Sequence, residues 1–449
     1  MDPAPDSQSP FLAGLAEVER LLHEGAPSSL SRARALADQL VDDLPETPSG
    51  GNSDLRIAIL TAKGHAERNA GLLLEAVRTY DRALSLLPDP GSDIQGKNRR
   101  ANLLTCRGLA LLTLGDPASL ERAIESFDAS IAMRDMPEAT EAECWGLAAA
   151  WLNRGDALAA LGGRDQLRNA LAAAAKGREA LAGLDPDKHP PYRSRLALSW
   201  MKSGDYALRL CAECGELKQE ESLSHLETAV AVLRPGAEAG FEESRRMLAA
   251  ALANLSRARL FLEKRGSESG EREARESLSW IETSALTSPE MLSLALNCRL
   301  TEACHLVTSG GDADRLLAAT DVVEEAFALA AEGRERLGPA ADDERLLGEL
   351  AKLGAEAYLI ASPAFLGEFL LDLLDPDRNP KHFADLAAVH EAAVRVLWKG
   401  IAGIQQRGFS EIGSSDYETD RDRLVEWQNC RERLASIRDR FFTRGPDPA

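Results

Sequence analysis

Valine and isoleucine are scarce, 12 and 11 in 449 residues, against 72 alanines and 69 leucines. β-Branched residues suit pleated strands and Ala and Leu favour helix, so 23 against 141 points to an almost wholly helical chain. No buried Val/Ile run of the kind a parallel sheet needs is present, which excludes Rossmann, P-loop and barrel enzymes. No window reaches the roughly 18 apolar residues of a membrane span. Basic residues are outnumbered, 52 to 72, giving a formal charge of −20. Such a field repels phosphate backbones and anionic lipid, so no nucleic acid and no membrane surface is expected as partner. Cysteine is thin: seven residues, an odd number, suit reduced thiols rather than a disulfide framework. The opening Met1-Asp2-Pro3-Ala4-Pro5-Asp6 lacks the basic and apolar regions of a signal peptide, so a cytoplasmic protein is expected.

What the chain does have is a helical composition along its whole length, which directs attention to internal repeats. The clearest unit reads Leu60, Gly64, Gly71, Ala76, Tyr80, Ala83 and Pro88. Small Gly and Ala positions let two helices approach closely, an aromatic fills the space between successive pairs, and Pro stops the second helix. This pattern resembles the tetratricopeptide repeat, a 34-residue helix–turn–helix. Leu104, Gly108, Gly115, Ala123 and Phe127 repeat it, with Asp116-Pro117-Ala118 as extra residues in the turn. Trp151, Gly155, Gly162 and Ala170 repeat it again, with Ala174 and Gly177 where larger residues are expected. Trp200 and Gly204 open a fourth unit, whose second helix is expected from Glu220 to Leu233, stopping at Pro235. A fifth centres on Leu255-Ser256, with Ala274, Leu278 and Ile281 on its return helix. From Gly64 through Gly108, Gly155 and Gly204 to Ser256 the spacings are 44, 47, 49 and 52, so the helices or the loops must be longer than the standard.

The resemblance implies an all-α fold, a right-handed α-solenoid of tetratricopeptide-like helix pairs with helical caps. Residues 1–52 are expected to form an N-terminal helical cap and linker, 53–283 the repeats, 284–361 degenerate helical repeats, and 362–449 a C-terminal helical cap or small helical domain. Segments 184–191 and 265–270 carry loop chemistry. The most apolar short run is 364–374.

Catalytic and metal signatures are missing. Cys211 and Cys214 form the one CxxC, but no strand precedes it and no second ligand pair accompanies it; His225 is eleven residues on. Cys298 and Cys304 are six apart and point to different helix faces, and no family signature surrounds Cys304-His305. None of the seven histidines has metal spacing. No cofactor, no metal and no enzymatic activity are expected.

In the resembled family the first helix of each pair lines the concave face, and position 6, two before the glycine, points into that groove. Position 9 is three residues on and shares its side. Position 6 is Ala62, Cys106, Asn153, Lys202 and Asn254; position 9 is His65, Leu109, Asp156, Asp205 and Arg257. The third to fifth units therefore present Asn153, Asp156, Lys202, Asp205, Asn254 and Arg257 as a strip suited to a peptide or protein partner. Asn side chains donate to and accept from a peptide backbone, and Lys and Arg fix carboxylates. The family's clamp for a chaperone tail needs Asn at position 9, where His65 and Leu109 stand, so that ligand is disfavoured. A binding scaffold is the reading that follows. A regulatory subunit docked on an effector enzyme through 364–374 and a helical thiol enzyme are the alternatives.

Overall fold

In the computed structural model the described residues run from 9 to 308, except 26, 45–49, 90, 92, 137–139, 186–189, 217–218, 264–266 and 282–288, with isolated positions between 315 and 332. They form thirteen helices and no strand. In chain order these are α1 (Ser9–Glu24), α2 (Pro27–Asp43), α3 (Gly50–Asn69), α4 (Leu73–Leu86), α5 (Ile94–Leu114), α6 (Pro117–Arg134) and α7 (Glu141–Leu161). There follow α8 (Arg164–Leu181), α9 (Pro190–Cys214), α10 (Gln219–Glu238), α11 (Glu242–Glu263), α12 (Glu268–Ile281) and α13 (Pro289–Thr308). The apolar run 364–374 and the C-terminal segment 362–449 lie outside the described residues. Among the described residues no helix is long and apolar enough to cross a membrane.

The chain divides into two compact units, Met1–Ser222 and Leu223–Ala449. In the first, each helix from α1 to α9 packs on its neighbour in sequence. The odd-numbered helices also touch one another: α1 with α3, α3 with α5, α5 with α7, and α7 with α9. Short connections between packed helices make them antiparallel pairs. In the second unit α11 packs on α12 and on α13, and α12 on α13.

The long period comes from the helices. First helices run 21, 21, 25 and 22 residues in α5, α7, α9 and α11. Asp116 and Pro117, expected as extra turn residues, instead start α6: Asp116 accepts from the Ser119 N–H at 3.0 Å and Pro117 sits in the first turn. Pro has no N–H to lose there and its fixed φ suits the position. Three other boundaries differ from the sequence reading. α3 begins at Gly50, inside the expected linker; α10 continues past Pro235 to Glu238; and Glu268–Gly270 are the first turn of α12 rather than loop. The glycine pair Gly162-Gly163, at φ 72° and 86°, makes the tight turn between α7 and α8, a conformation that excludes a Cβ at low cost.

The repeat glycines face rings. A Cβ on Gly64 would lie 2.5 Å from Tyr80 Cε1, and one on Gly108 would lie 2.6 Å from Phe127 Cε1. Tyr80 and Phe127 are fully buried. The aromatic therefore packs inside its own pair, against the glycine of its first helix, and not between pairs as expected. In the third pair, where Ala174 stands at the aromatic's place, Tyr206 arrives from α9 and covers Gly155 instead.

A ladder of ion pairs joins successive pairs in the first unit. The base just before each repeat glycine meets an aspartate on the preceding second helix: Lys63 with Asp38, Arg107 with Asp81 at 2.7 Å, and Arg154 with Asp128 at 2.5 Å. In the next rung the roles differ, with Arg178 of α8 donating to the Ser203 hydroxyl at 2.5 Å.

Candidate functional site

The six residues expected on the groove fall into two groups. Asn153 and Asp156 on α7, with Lys202 and Asp205 on α9, belong to the first unit; Asn254 and Arg257 on α11 belong to the second. In the first unit Lys202 Nζ donates to both carboxylate oxygens of Asp156. Tyr206 Oη donates to Asp156 Oδ1 at 2.7 Å. Burial first, then the Asp156 charge and hydrogen bond, pushes the Tyr206 phenol well above its ordinary value, so it stays a neutral donor. Asp205, half-buried beside it, adds negative charge in the same direction. Asp156 thus ties α7 to α9, and the Lys202 charge is spent inside the protein. Asn153 is half-buried with no hydrogen-bond partner among the described residues.

The second unit is built differently. Asn254, Arg257 and Leu260 of α11 face Asn297, Thr301 and Cys304 of α13 across a pocket of about 140 Å³. On each helix the three recur every three or four residues, which places them on one side of the helix. Arg257 is exposed, and among the described residues its one hydrogen bond is a weak donation to Asn254 Oδ1 at 3.4 Å. The neighbouring arginines are committed: Arg259 to Glu227 and Glu273, Arg299 to Glu302 and Glu325, and Arg275 to Glu302. Arg257 has no carboxylate partner among the described residues.

The α13 contribution was missed by sequence reading because no glycine marks the unit. The signal was there: 47 residues beyond Ser256, within the earlier spacings, stands the fully buried Ala303, which puts Thr301 at position 6 and Cys304 at position 9.

The expected thiol candidates occupy different settings. His305 is fully buried. Its Nδ1 accepts from the Ser267 N–H at 3.2 Å, which leaves Nε2 to donate to the Ser256 carbonyl at 3.0 Å. A Cβ on Gly270 would strike this ring at 2.2 Å. His305 is thus a clasp joining α11, α12 and α13, while its sequence neighbour Cys304 lines the pocket. Cys298 is buried, 3.0 Å from Ser277 Oγ, and burial pushes its thiol up to about 12. His65 and Cys106, position 9 of one unit and position 6 of the next, do meet, at 3.4 Å. Burial lowers His65 to about 4 and raises Cys106, so the pair is thiol and neutral imidazole rather than thiolate and imidazolium. Cys211 and Cys214 are free and half-buried. Among the described residues no group of three His, Cys, Asp or Glu side chains could hold a metal ion.

The sequence matches no protein-family model and no curated protein. Among solved structures the chain is similar to the apo form of RapI, at 12% identity and a TM-score of 0.44, covering 78% of this chain and 99% of that one. It is similar also to a Rap protein complexed with Competence and Sporulation Factor, at 15% identity and a TM-score of 0.43, covering 96% and 99%. A circular tandem repeat protein with a novel repeat topology aligns at 14% identity and a TM-score of 0.30, covering 96% and 97%.

Proposed function

We propose that this chain is a divergent tetratricopeptide-repeat protein and a non-catalytic binding scaffold, taking a peptide or protein segment against its odd-numbered helices. The observation that carries the reading is the α11–α13 pocket. It sits at the groove positions of two neighbouring first helices, and it is rimmed by amide and hydroxyl groups and one arginine without a carboxylate. Amides that donate and accept suit a peptide backbone, and an unpaired guanidinium suits a carboxylate. A pocket of about 140 Å³ is small beside the roughly 300–1,000 Å³ of small-molecule and cofactor sites, which favours a side chain of a larger partner over a free metabolite.

Within the first unit, Asn153 and Asp205 supply polar contact groups, while the Asp156–Lys202–Tyr206 link holds α7 and α9 in register. The test is site-directed photocrosslinking in the full-length protein within its native cell. A photoreactive residue replacing Thr301 is expected to capture a partner. A photoreactive residue replacing the exposed Glu121 on the even-numbered α6 is expected not to. Capture of that partner from Glu121 alone would contradict the reading.

A further inference from the structure

The reading above leaves the chemistry of the ligand open, and the second unit carries it further. We infer that the α11–α13 pocket takes a glutamate or aspartate side chain from an extended peptide segment, with an apolar residue two positions away seated on Phe261. This rests on the binding reading and adds the ligand class.

Three observations support it. The first is charge. Arg234, Arg259, Arg275, Arg299 and Arg315 of the same unit are each paired with a glutamate, whereas Arg257, the one charged residue lining the pocket, has no carboxylate partner among the described residues. Arg257 is held only by the Asn254 amide at 3.4 Å, so its planar fork remains open to a carboxylate.

The second is the pocket's make-up. Ala253, Leu260 and Leu294 give it apolar walls, while Asn254, Asn297 and Thr301 give it polar groups. Such a lining accepts the methylene stem of an acidic side chain and leaves its head at the guanidinium. The ion pair forms at the exposed rim, where added salt weakens it.

The third is Phe261, a large apolar side chain left 50% exposed. It lies four residues beyond Arg257 on α11, about 6 Å along the helix axis and on the same side. Alternate residues of an extended chain point the same way and are about 6.6 Å apart. An acidic residue on Arg257 therefore brings the next-but-one residue over Phe261. The pattern is acidic–x–apolar, in either chain direction.

The experiment is to pan a phage-displayed library of random peptides on the immobilised full-length protein and, in parallel, on the Arg257→Gln variant. Arg257 is exposed and unpaired, so the variant should fold; matching circular dichroism and urea midpoints establish that it does. Peptides retained by the wild type and lost by the variant are expected to be enriched in Asp or Glu two positions from Phe, Leu, Ile or Met. A synthetic, amidated copy of one of these should bind roughly 10- to 150-fold more weakly to Arg257→Gln, the loss expected for hydrogen bonds to a charged group. It should weaken several-fold with Phe261→Ala, and its affinity should fall as salt is raised.

Arg257-dependent peptides without an acidic residue would overturn the ligand class while leaving the binding reading intact. So would a peptide that binds as the free acid and not as the amide, since a chain-terminal carboxylate would then be the ligand. A library whose captured peptides are insensitive to Arg257, Asn254 and Thr301 substitutions alike would overturn the binding reading itself.

Discussion

Replacing Gly108 by alanine tests how closely the paired helices approach. The new methyl would lie 2.6 Å from Cε1, 2.8 Å from Cζ and 3.0 Å from Cδ1 of Phe127, a ring with no exposed surface. Ordinary carbon contacts are near 3.5–4.0 Å, so the ring must retreat by about 1 Å into a close-packed core. Overpacking of this kind costs about 1–3 kcal/mol. Alanine returns about 0.5–1 kcal/mol through its better helix propensity. The net expectation is a loss of about 1–2 kcal/mol, read as a urea midpoint lower by about 0.5 M. Gly183→Ala is the control, because no atom lies within 4 Å of its Cβ site; it should be neutral or slightly stabilising. Phe127→Leu makes room, so its cost and that of Gly108→Ala should be less than additive when combined. A Gly108→Ala protein as stable as the wild type, or strict additivity in the double mutant, would refute the packing argument.

Two further outcomes are expected. Lys202→Glu sets a carboxylate against Asp156 in a half-buried site and should destabilise the protein by about 2 kcal/mol, between surface and buried ion pairs; adding Asp156→Lys should restore part of that, and failure to restore any would contradict the paired geometry. His65 should make the protein acid-sensitive. Burial, and then the Arg68 charge, holds its folded pKa at about 4 against 6.5 when unfolded. The unfolded chain therefore binds a proton that the fold refuses, and stability falls as pH drops from 6.5 towards 4, by about 2 kcal/mol at pH 5. Urea unfolding at pH 7 and pH 5 should show that loss reduced in His65→Asn; an equal loss in both proteins would contradict the assignment.

The sequence makes much of the fold legible for identifiable reasons. Gly64 with Tyr80 and Gly108 with Phe127 are complementary pairs, a missing Cβ and the ring that needs its space, and each ring stands four residues after the repeat alanine, Ala76 or Ala123. Asn254 and Arg257, three apart on one helix, were readable as neighbours on one side, and they line one pocket. What escaped were contacts between residues far apart in sequence. Lys202 and Asp156 are 46 residues apart, and each looks like a solvated groove residue until the other is placed beside it. Tyr206 escaped because it replaces a ring missing from another helix, at Ala174, so the degeneration of one unit is compensated by the next. Ser256, Gly270 and His305 are a similar case: the ring comes from a third helix, which local spacing cannot reveal. Pro235 was read as a stop, yet α10 runs on to Glu238: Pro235 forgoes its own N–H bond, while its carbonyl accepts from the Ala239 N–H at 3.0 Å.

The central claim is that the odd-numbered helices carry the binding surface, and a matched pair of arginines tests it. Arg257 on α11 and Arg272 on α12 are both exposed and carry the same charge, one on a first helix and one on a second. Calorimetric titration of the crosslinked partner, once purified, against wild type, Arg257→Gln and Arg272→Gln compares the two faces directly. The account predicts at least tenfold weaker binding for Arg257→Gln and a change within about twofold for Arg272→Gln. Equal losses in both variants, or a larger loss at Arg272, would contradict it.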